Sequence, residues 1–182
     1  MKTAGLYIHI PFCKVKCVYC DFYSITKKED QIPVFTDCLL KEIDSYKHYA
    51  GKWKFNTIFF GGGTPSLLPA KYLEQILQKL HDTFDTSSVE EITLEANPGE
   101  APLEHLKDIR KLGVNRLSMG FQSFDDRILK VLGRLHQSDE CFKTFKNARK
   151  AGFDNINTDM IFNIPELSTQ NWTKDLNRLL EL

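Results

Sequence analysis

The chain has 182 residues, which is enough for one domain with a substantial core and too few for two comfortable ones. Its 24 Lys and Arg balance 24 Asp and Glu, so the zero formal charge argues against a global basic surface for nucleic acid or anionic membrane. The N-terminus leads into a short strand-like run rather than a long apolar stretch, so we expect no signal peptide, no membrane-spanning segment and a cytoplasmic location.

Short apolar or β-branched runs alternate with longer helical patterns along the chain, which is typical of βα units around a parallel sheet. We predict strands at residues 6–10, 56–60, 91–95, 115–119 and 155–161. Helices are predicted at about 33–49, 73–84, 102–112, 125–132 and 138–151, followed by a last amphipathic helix that begins near Trp172.

The chain ends directly after that last helix, and five βα units do not close an eight-stranded barrel. We therefore predict an α/β fold, a partial (β/α) barrel that is truncated after about five units. Residues 1–182 would form one core domain, the N-terminal part of a longer protein.

Unusual residues follow the carboxyl ends of the predicted strands, where the active site of a βα barrel lies. A cysteine loop follows the first strand, and the run Gly-Gly-Gly-Thr-Pro at 61–65 follows the second. Glu95 and Gln122 stand at the ends of the third and fourth strands, and Asp159 lies within the fifth. This common position predicts a single shared ligand site.

Three cysteines, Cys13, Cys17 and Cys20, lie within eight residues of the loop after the first strand. A cubane iron–sulfur cluster is normally held by four thiolates, so three would leave one iron open. A structural zinc site usually has four ligands, often as two Cys pairs, and a redox pair is a lone C-x-x-C that would leave Cys13 unexplained. We interpret the loop as an iron–sulfur site, with zinc and thiol–disulfide chemistry as the alternatives.

Other residues near or outside the loop have simpler interpretations. Lys14 and Lys16 either favour the ionised thiols or are ordinary solvated side chains. Cys38 and Cys141 fall in helical patterns and are predicted to be small core residues.

The segment from Tyr7 to Cys20, together with the glycine run at 61–65, resembles the radical S-adenosylmethionine enzymes. It is most similar to the branch that contains oxygen-independent coproporphyrinogen III oxidase and the heme chaperone related to it. The likeness covers nearly the whole chain and includes residues 94–98, 116–124, 132–136 and 159–162.

The resemblance implies that Cys13, Cys17 and Cys20 hold a [4Fe–4S] cluster. The amino and carboxylate groups of S-adenosylmethionine would chelate the fourth iron, and an electron from the cluster would cleave the sulfonium to a 5′-deoxyadenosyl radical. The cofactor site that the resemblance implies comprises Tyr7, Tyr19 near the adenine, Gly62 and Gly63 near the methionine amino group, Thr64, Glu95, Gln122, Arg134 and Asp159.

Each of these assignments has a structural alternative. The glycines would form only a turn, Glu95 a surface pair, Gln122 a helix cap, and Arg134 a partner of a helix dipole. Asp159 interrupts an apolar strand, so we expect it to face the mouth of the barrel. His9 and His136 are interpreted as structural histidines.

The branch is indicated by the residues after the last cysteine. The oxidases typically carry a further cysteine two positions after Cys20, whereas this chain has Phe22, as in the heme chaperones. The resemblance then implies heme as a further ligand, an acceptor hemoprotein and an electron donor. The oxidase, and a metal-binding or thiol-redox module, remain alternatives.

The chain departs from the family pattern after the fifth strand. The family usually has a glycine and then Pro-Gly there, and this chain has Asn163 and Pro165-Glu166. Asn tolerates a left-handed backbone better than Glu does, so the substitution at 166 is the larger departure.

Overall fold

The computed structural model describes residues 2–182 and contains a five-stranded, all-parallel sheet. Its strands lie side by side in chain order, which confirms the predicted α/β fold with five βα units. The strands are β1 (Lys2–Ile10), β2 (Trp53–Gly62), β3 (Glu91–Ala96), β4 (Arg116–Gln122) and β5 (Asn155–Met160).

Six helices connect or follow the strands, in the segments where helical patterns are predicted. They are α1 (Ile32–Ser45), α2 (Ala70–Thr83), α3 (Leu103–Lys111), α4 (Asp126–Val131), α5 (Ser138–Lys150) and α6 (Thr169–Leu180). None of the helices within residues 2–182 combines the length and apolar character needed to cross a membrane.

The core forms between alternate residues of the inner strands and the apolar stripes of the helices. Ile58 and Phe60 of β2 are fully buried, as expected for every second residue of a strand covered by helices. Ile76 of α2 and Leu106 of α3 are fully buried in the same apolar cluster. This packing fixes the strands, and it therefore fixes the positions of the site residues at their carboxyl ends.

Two local elements differ from the sequence prediction. β1 begins at Lys2 rather than at residue 6, because Lys2 to Ala4 pair with the start of β2 ahead of a register shift at Gly5. A parallel ladder also joins Phe12–Cys13 to Ile25–Thr26, and strands this short leave no periodic signal.

The prediction for Cys38 was wrong, whereas that for Cys141 is confirmed. Cys141 is fully buried on α5, but Cys38 is exposed on α1. The buried stripe of α1 runs through Ile32, Thr36 and Ile43. Cys38 lies two residues from Thr36, which at about 100° per residue puts it on the opposite face.

The loop after β5 contains the two departures from the family pattern, and both residues have left-handed backbones. φ is +58° at Asn163 and +71° at Glu166. We expect Glu166→Gly to raise the free energy of unfolding by about 0.5–1 kcal/mol, because glycine lacks the Cβ that is strained there. Urea unfolding measures this change. Asn163→Gly is the matched control and should change stability less, and a destabilised Glu166→Gly would contradict the expectation.

Candidate cofactor site

A cleft lies at the carboxyl ends of the strands, where the sequence predicts a shared site. Residues at or just after the carboxyl ends of all five strands contribute to its lining. Eleven of the twelve predicted site residues line it: Cys13, Cys17, Tyr19, Cys20, Gly62, Gly63, Thr64, Glu95, Gln122, Arg134 and Asp159. The twelfth, Tyr7, lines a separate apolar cavity along β1.

The backbone of the cysteine loop is held at several points. Ile25 donates from its N–H to the carbonyl of Pro11 at 2.8 Å, which closes the loop at its base. Within the loop, the Cys20 N–H donates to the carbonyl of Cys17 at 3.1 Å and forms a tight turn. The Val18 N–H donates to the carbonyl of Leu132 at 3.3 Å, which ties the loop to the end of α4.

The two lysines of the loop have structural contacts. Lys16 donates to the carbonyl of Phe22 at 2.5 Å and to the hydroxyl of Ser24 at 3.2 Å, so it braces the loop internally. Lys14 lies 4.0 Å from the carboxylate of Glu100. Within residues 2–182 these contacts direct both ammonium groups to oxygen atoms rather than to sulfur.

The three cysteines are free thiols, each partly buried at the cleft. The Thr64 hydroxyl donates to Cys13 Sγ at 3.6 Å, and Arg134 Nη1 donates to Cys17 Sγ at 3.7 Å. Burial raises the pKa of the Cys13 thiol, although the Thr64 and Ser24 hydroxyls oppose this rise. The Thr64 hydroxyl and the Arg134 guanidinium therefore both donate hydrogen bonds to cysteine sulfurs in the cleft.

The arrangement of the thiols bears on the kind of metal centre they could hold. Within residues 2–182, no three His, Cys, Asp or Glu side chains converge closely enough to hold a single metal ion. A tetrahedral zinc site needs such convergence. A [4Fe–4S] cube binds each thiolate through a different iron, so its ligands stand apart around the cube.

The glycine run brings two loops into close contact. The Gly63 N–H donates to the carbonyl of Ile10 at 2.7 Å, and a Cβ at Gly63 would meet the Phe12 carbonyl oxygen at 2.6 Å. Any side chain at this position would push the cysteine loop away from β2. Gly62 has a φ of +111°, and its N–H donates to Glu95 Oε2 at 3.1 Å. These glycines therefore have a packing role beyond that of a flexible turn.

Two carboxylates line the cleft from β3 and β5. Burial raises the pKa of Glu95, and the nearby Asp159 carboxylate raises it further, while the Gly62 N–H opposes the rise. Asp159 is exposed and accepts a hydrogen bond from Asn157 Nδ2 at 2.8 Å. Asp159 lines the cleft as an exposed side chain, and Glu95 is partly buried there rather than in a surface pair.

Gln122 ends β4 in an unusual conformation. Its φ is +67°, the strand pairing with β5 shifts register between Gly120 and Gln122, and the residue is 8% exposed. A strained, buried residue of this kind is common at ligand sites. The cap of α4 is Asp125, which accepts from the Arg127 N–H at 3.0 Å, so capping does not explain Gln122.

Arg134 follows α4 and turns its guanidinium into the cleft. Nη2 donates to Asn97 Oδ1 at 2.6 Å and to the carbonyl of Gly120 at 2.8 Å. Nη1 lies 3.5 Å from the Tyr19 hydroxyl, and burial raises the pKa of Tyr19 to about 12. These contacts hold the Arg134 guanidinium beside Tyr19. Arg134 therefore has specific partners in the cleft, which an interaction with the helix dipole alone would not require.

Sequence reasoning assigned no site role to several polar residues that line the cleft, among them Asn97, Glu100 and Ser118. Asn97 lies in the motif after β3, so its position was a usable signal. Ser118 gave no signal, because a small polar residue in a strand is common.

His136 is a satisfied structural histidine, as the sequence interpretation proposed. Its Nε2 lies 3.2 Å from the Phe121 carbonyl, which only accepts, so Nε2 carries the proton. Nδ1 is then free to accept from Arg134 Nη2 at 3.4 Å. Burial and the Arg134 charge lower the pKa of His136 from 6.5 to about 4.

This lowered pKa predicts a pH dependence of stability. The unfolded state binds a proton as pH falls below about 6.5, but the folded state does so only near 4, so folding stability is lost across that window. The loss should be about 3 kcal/mol. His136→Gln should remove that part of the pH dependence in urea unfolding between these pH values. Exposed His48→Gln is the control, and an unchanged slope in His136→Gln would contradict the assignment.

Comparison with known proteins places these features in a family. The profile of the Radical SAM superfamily matches residues 7–179. The Heme chaperone HemW of Lactococcus lactis is 36% identical over 100% of this chain and 47% of its own length. That of Escherichia coli is 38% identical over 100% of this chain and 48% of its own length. The chain thus spans about half the length of these relatives.

A solved structure supports the same assignment. Coproporphyrinogen III oxidase (HemN) from Escherichia coli, a radical SAM enzyme, superimposes with a TM-score of 0.89 at 30% identity. The superposition covers 99% of this chain and 42% of that one. From the family profile and these full-chain alignments we conclude that the protein belongs to the radical S-adenosylmethionine superfamily, whose members use a [4Fe–4S] cluster and S-adenosylmethionine.

Proposed function

We propose that Cys13, Cys17 and Cys20 hold a [4Fe–4S] cluster and that S-adenosylmethionine binds beside it in the cleft. One observation carries the proposal: the three thiols and the polar groups from five strand ends line a single cleft. Residues 1–182 would form the core domain that houses both cofactors. When bound, the pair supplies reductive cleavage of a sulfonium, which is radical chemistry that no protein side chain provides.

The chain's own residues suit an amino-acid-like ligand. Arg134 Nε is a buried donor with no acceptor within residues 2–182, and the carboxylate of such a ligand would provide one. Glu95 receives the Gly62 N–H on Oε2, and its other oxygen is available to accept from an ammonium group. Gln122 and Asp159 would complete the polar lining, and Tyr19 would offer an aromatic face to the adenine.

Tyr7 would act from the side of the cofactor site. It lines the apolar cavity along β1, and its hydroxyl lies 3.1 Å from His9 Nδ1. Its ring is close to Gly61, since a Cβ there would meet Tyr7 Cε2 at 3.1 Å. It would therefore approach the cofactor only across the glycine run.

For the whole protein we propose a heme chaperone that passes heme to an acceptor hemoprotein in the cytoplasm, with an external electron donor for the cluster. Two observations support this choice over the oxidase. Full-chain relatives at 36–38% identity are named Heme chaperone HemW. Phe22, where the oxidases typically carry a cysteine, lines the cleft and is 68% exposed.

The second candidate is oxygen-independent oxidation of coproporphyrinogen III. The superposition on HemN, with a TM-score of 0.89, favours it, because the two chains share the framework around the cleft. Both candidates act on a tetrapyrrole, and neither requires a nucleic-acid partner.

Anaerobic reconstitution with iron and sulfide separates these functions. The reconstituted protein is assayed for heme binding by absorbance titration, for 5′-deoxyadenosine formation and for turnover of coproporphyrinogen III. Stoichiometric heme binding without porphyrin product supports the chaperone, and product formation supports the oxidase. A protein that takes up neither the cluster nor S-adenosylmethionine would instead be a metal-binding or thiol-redox module.

A further inference from the structure

A continuous set of hydrogen bonds connects two of the three site cysteines. Arg134 donates through Nη1 to Cys17 Sγ at 3.7 Å and through Nη2 to Asn97 Oδ1 at 2.6 Å. Asn97 Nδ2 donates to Thr64 Oγ1 at 2.9 Å, and Thr64 Oγ1 donates to Cys13 Sγ at 3.6 Å. Asn97 is therefore the central member of a chain that ends on a sulfur at each side.

The direction of the bonds on both sides of Asn97 is fixed by chemistry. A guanidinium only donates, so the Asn97 atom facing Arg134 must be the carbonyl oxygen. On the other side, Asn97 Nδ2 lies 2.9 Å from Glu100 Oε2, and an ionised carboxylate only accepts. The orientation of the Asn97 amide is thus determined by two partners whose roles cannot be exchanged.

This orientation determines where the Thr64 hydrogen points. Thr64 Oγ1 accepts from Asn97 Nδ2, so its own hydrogen is free for another acceptor. Thr64 is 2% exposed, which leaves little access for water, and Cys13 Sγ is within reach. Glu100 also lies 4.0 Å from Lys14.

We propose that Asn97 is a positioning residue for the metal centre: it orients Thr64 and Arg134 so that the sulfurs of Cys13 and Cys17 each accept a hydrogen bond. The proposal rests on the proposed function, because the two sulfurs act as cluster ligands in it. Hydrogen bonds to ligand sulfurs stabilise the more negative, reduced state of an iron–sulfur cluster and raise its reduction potential. Asn97 would therefore make one-electron reduction of the cluster easier.

The test is a redox titration of the anaerobically reconstituted protein, with dithionite as reductant, mediators, and EPR detection of the reduced cluster. In Asn97→Ala and in Thr64→Val, the ratio of reduced to oxidised cluster at the wild-type midpoint should fall about tenfold, close to the loss of one charge-assisted hydrogen bond. Neither change alters the charge of the protein, and Thr64→Val also preserves side-chain volume. If Asn97→Ala fails to take up the cluster, Thr64→Val still tests the proposal.

Two controls separate this role from a general structural one. Thr64→Ser retains the hydroxyl and should keep the wild-type ratio. Asn115→Ala removes an equally well-bonded asparagine, which contacts the Ile92 N–H and the Glu90 carbonyl next to the start of β4, and should leave the ratio unchanged. The double variant Asn97→Ala/Thr64→Val should shift the ratio by less than the sum of the single changes, because both remove the same bond to Cys13.

Loaded clusters with a wild-type ratio in both Asn97→Ala and Thr64→Val would overturn this proposal alone. A wild-type protein that takes up no cluster would overturn the proposed function, and this inference with it.

Discussion

Replacing any one of Cys13, Cys17 and Cys20 by alanine should lower iron retained after anaerobic reconstitution and desalting at least about tenfold. Loss of an outer-shell partner alone already costs about 10–100-fold in metal affinity, and loss of a thiolate ligand should cost no less. Iron and sulfide analysis, together with the visible absorbance of the cluster, measures the effect. All three variants should retain the helical circular dichroism of the wild type, since none of the three cysteines belongs to the apolar core.

The remaining two cysteines provide matched controls for that experiment. Cys38 is exposed on α1, and Cys141 is fully buried, where burial raises the pKa of its thiol to about 12. Cys38→Ala should bind as much iron as the wild type. A cluster lost equally in Cys38→Ala, or retained in Cys17→Ala, would contradict the ligand assignment.

Asp175→Ala should destabilise the fold by about 3 kcal/mol. Asp175 of α6 is 3% exposed, and its Oδ2 accepts from Ser123 Oγ at 2.5 Å and from the Phe124 N–H at 3.1 Å. Removing the carboxylate leaves two buried donors without an acceptor, and each such loss costs about 1–3 kcal/mol. Urea unfolding followed by circular dichroism measures the change.

The same substitution should also weaken the cofactor site, because Ser123 directly follows Gln122. The bonds to Asp175 hold the turn in which Gln122 adopts its left-handed backbone. Asp139→Ala, an exposed position in the first turn of α5, is the control and should stay within about 0.5 kcal/mol of the wild type. If Asp175→Ala were as stable as that control, the turn would not depend on α6.

The sequence predicts the framework well, because each βα unit contributes a strong local signal. The stripe of Leu73, Ile76, Leu77 and Leu80 on α2 is buried as the 3.6-residue period requires. The predictions fail where an element is too short to show a periodic pattern, and where the pattern of a helix does not identify its buried face. The ladder between Phe12–Cys13 and Ile25–Thr26 has only two residues in each strand. Cys38 was assigned to the buried stripe of α1, but it lies on the exposed face of that helix.

The set of residues that line the cleft was predictable for a different reason. Strand order in a βα fold brings the carboxyl ends together, so residues distant in sequence could be assigned to one cleft before any coordinates. The contacts within the cleft were not predictable. Asn97 and Asp175 act through partners 33 to 52 residues away, and no local pattern encodes a hydrogen bond of that span. Their functional roles remain predictions.

The apolar core contains none of the three cysteines that we propose as cluster ligands. Ile58, Phe60 and Leu106 are fully buried by protein atoms alone, and the start of the cysteine loop is held to the segment after β2 by the backbone bond from the Thr64 N–H to the Phe12 carbonyl at 2.8 Å. A zinc finger, by contrast, is unfolded until its metal arrives. We therefore expect folding and cluster uptake to be separable steps in this protein, so that the chain folds before iron and sulfide bind and stays folded when an oxidised cluster is lost.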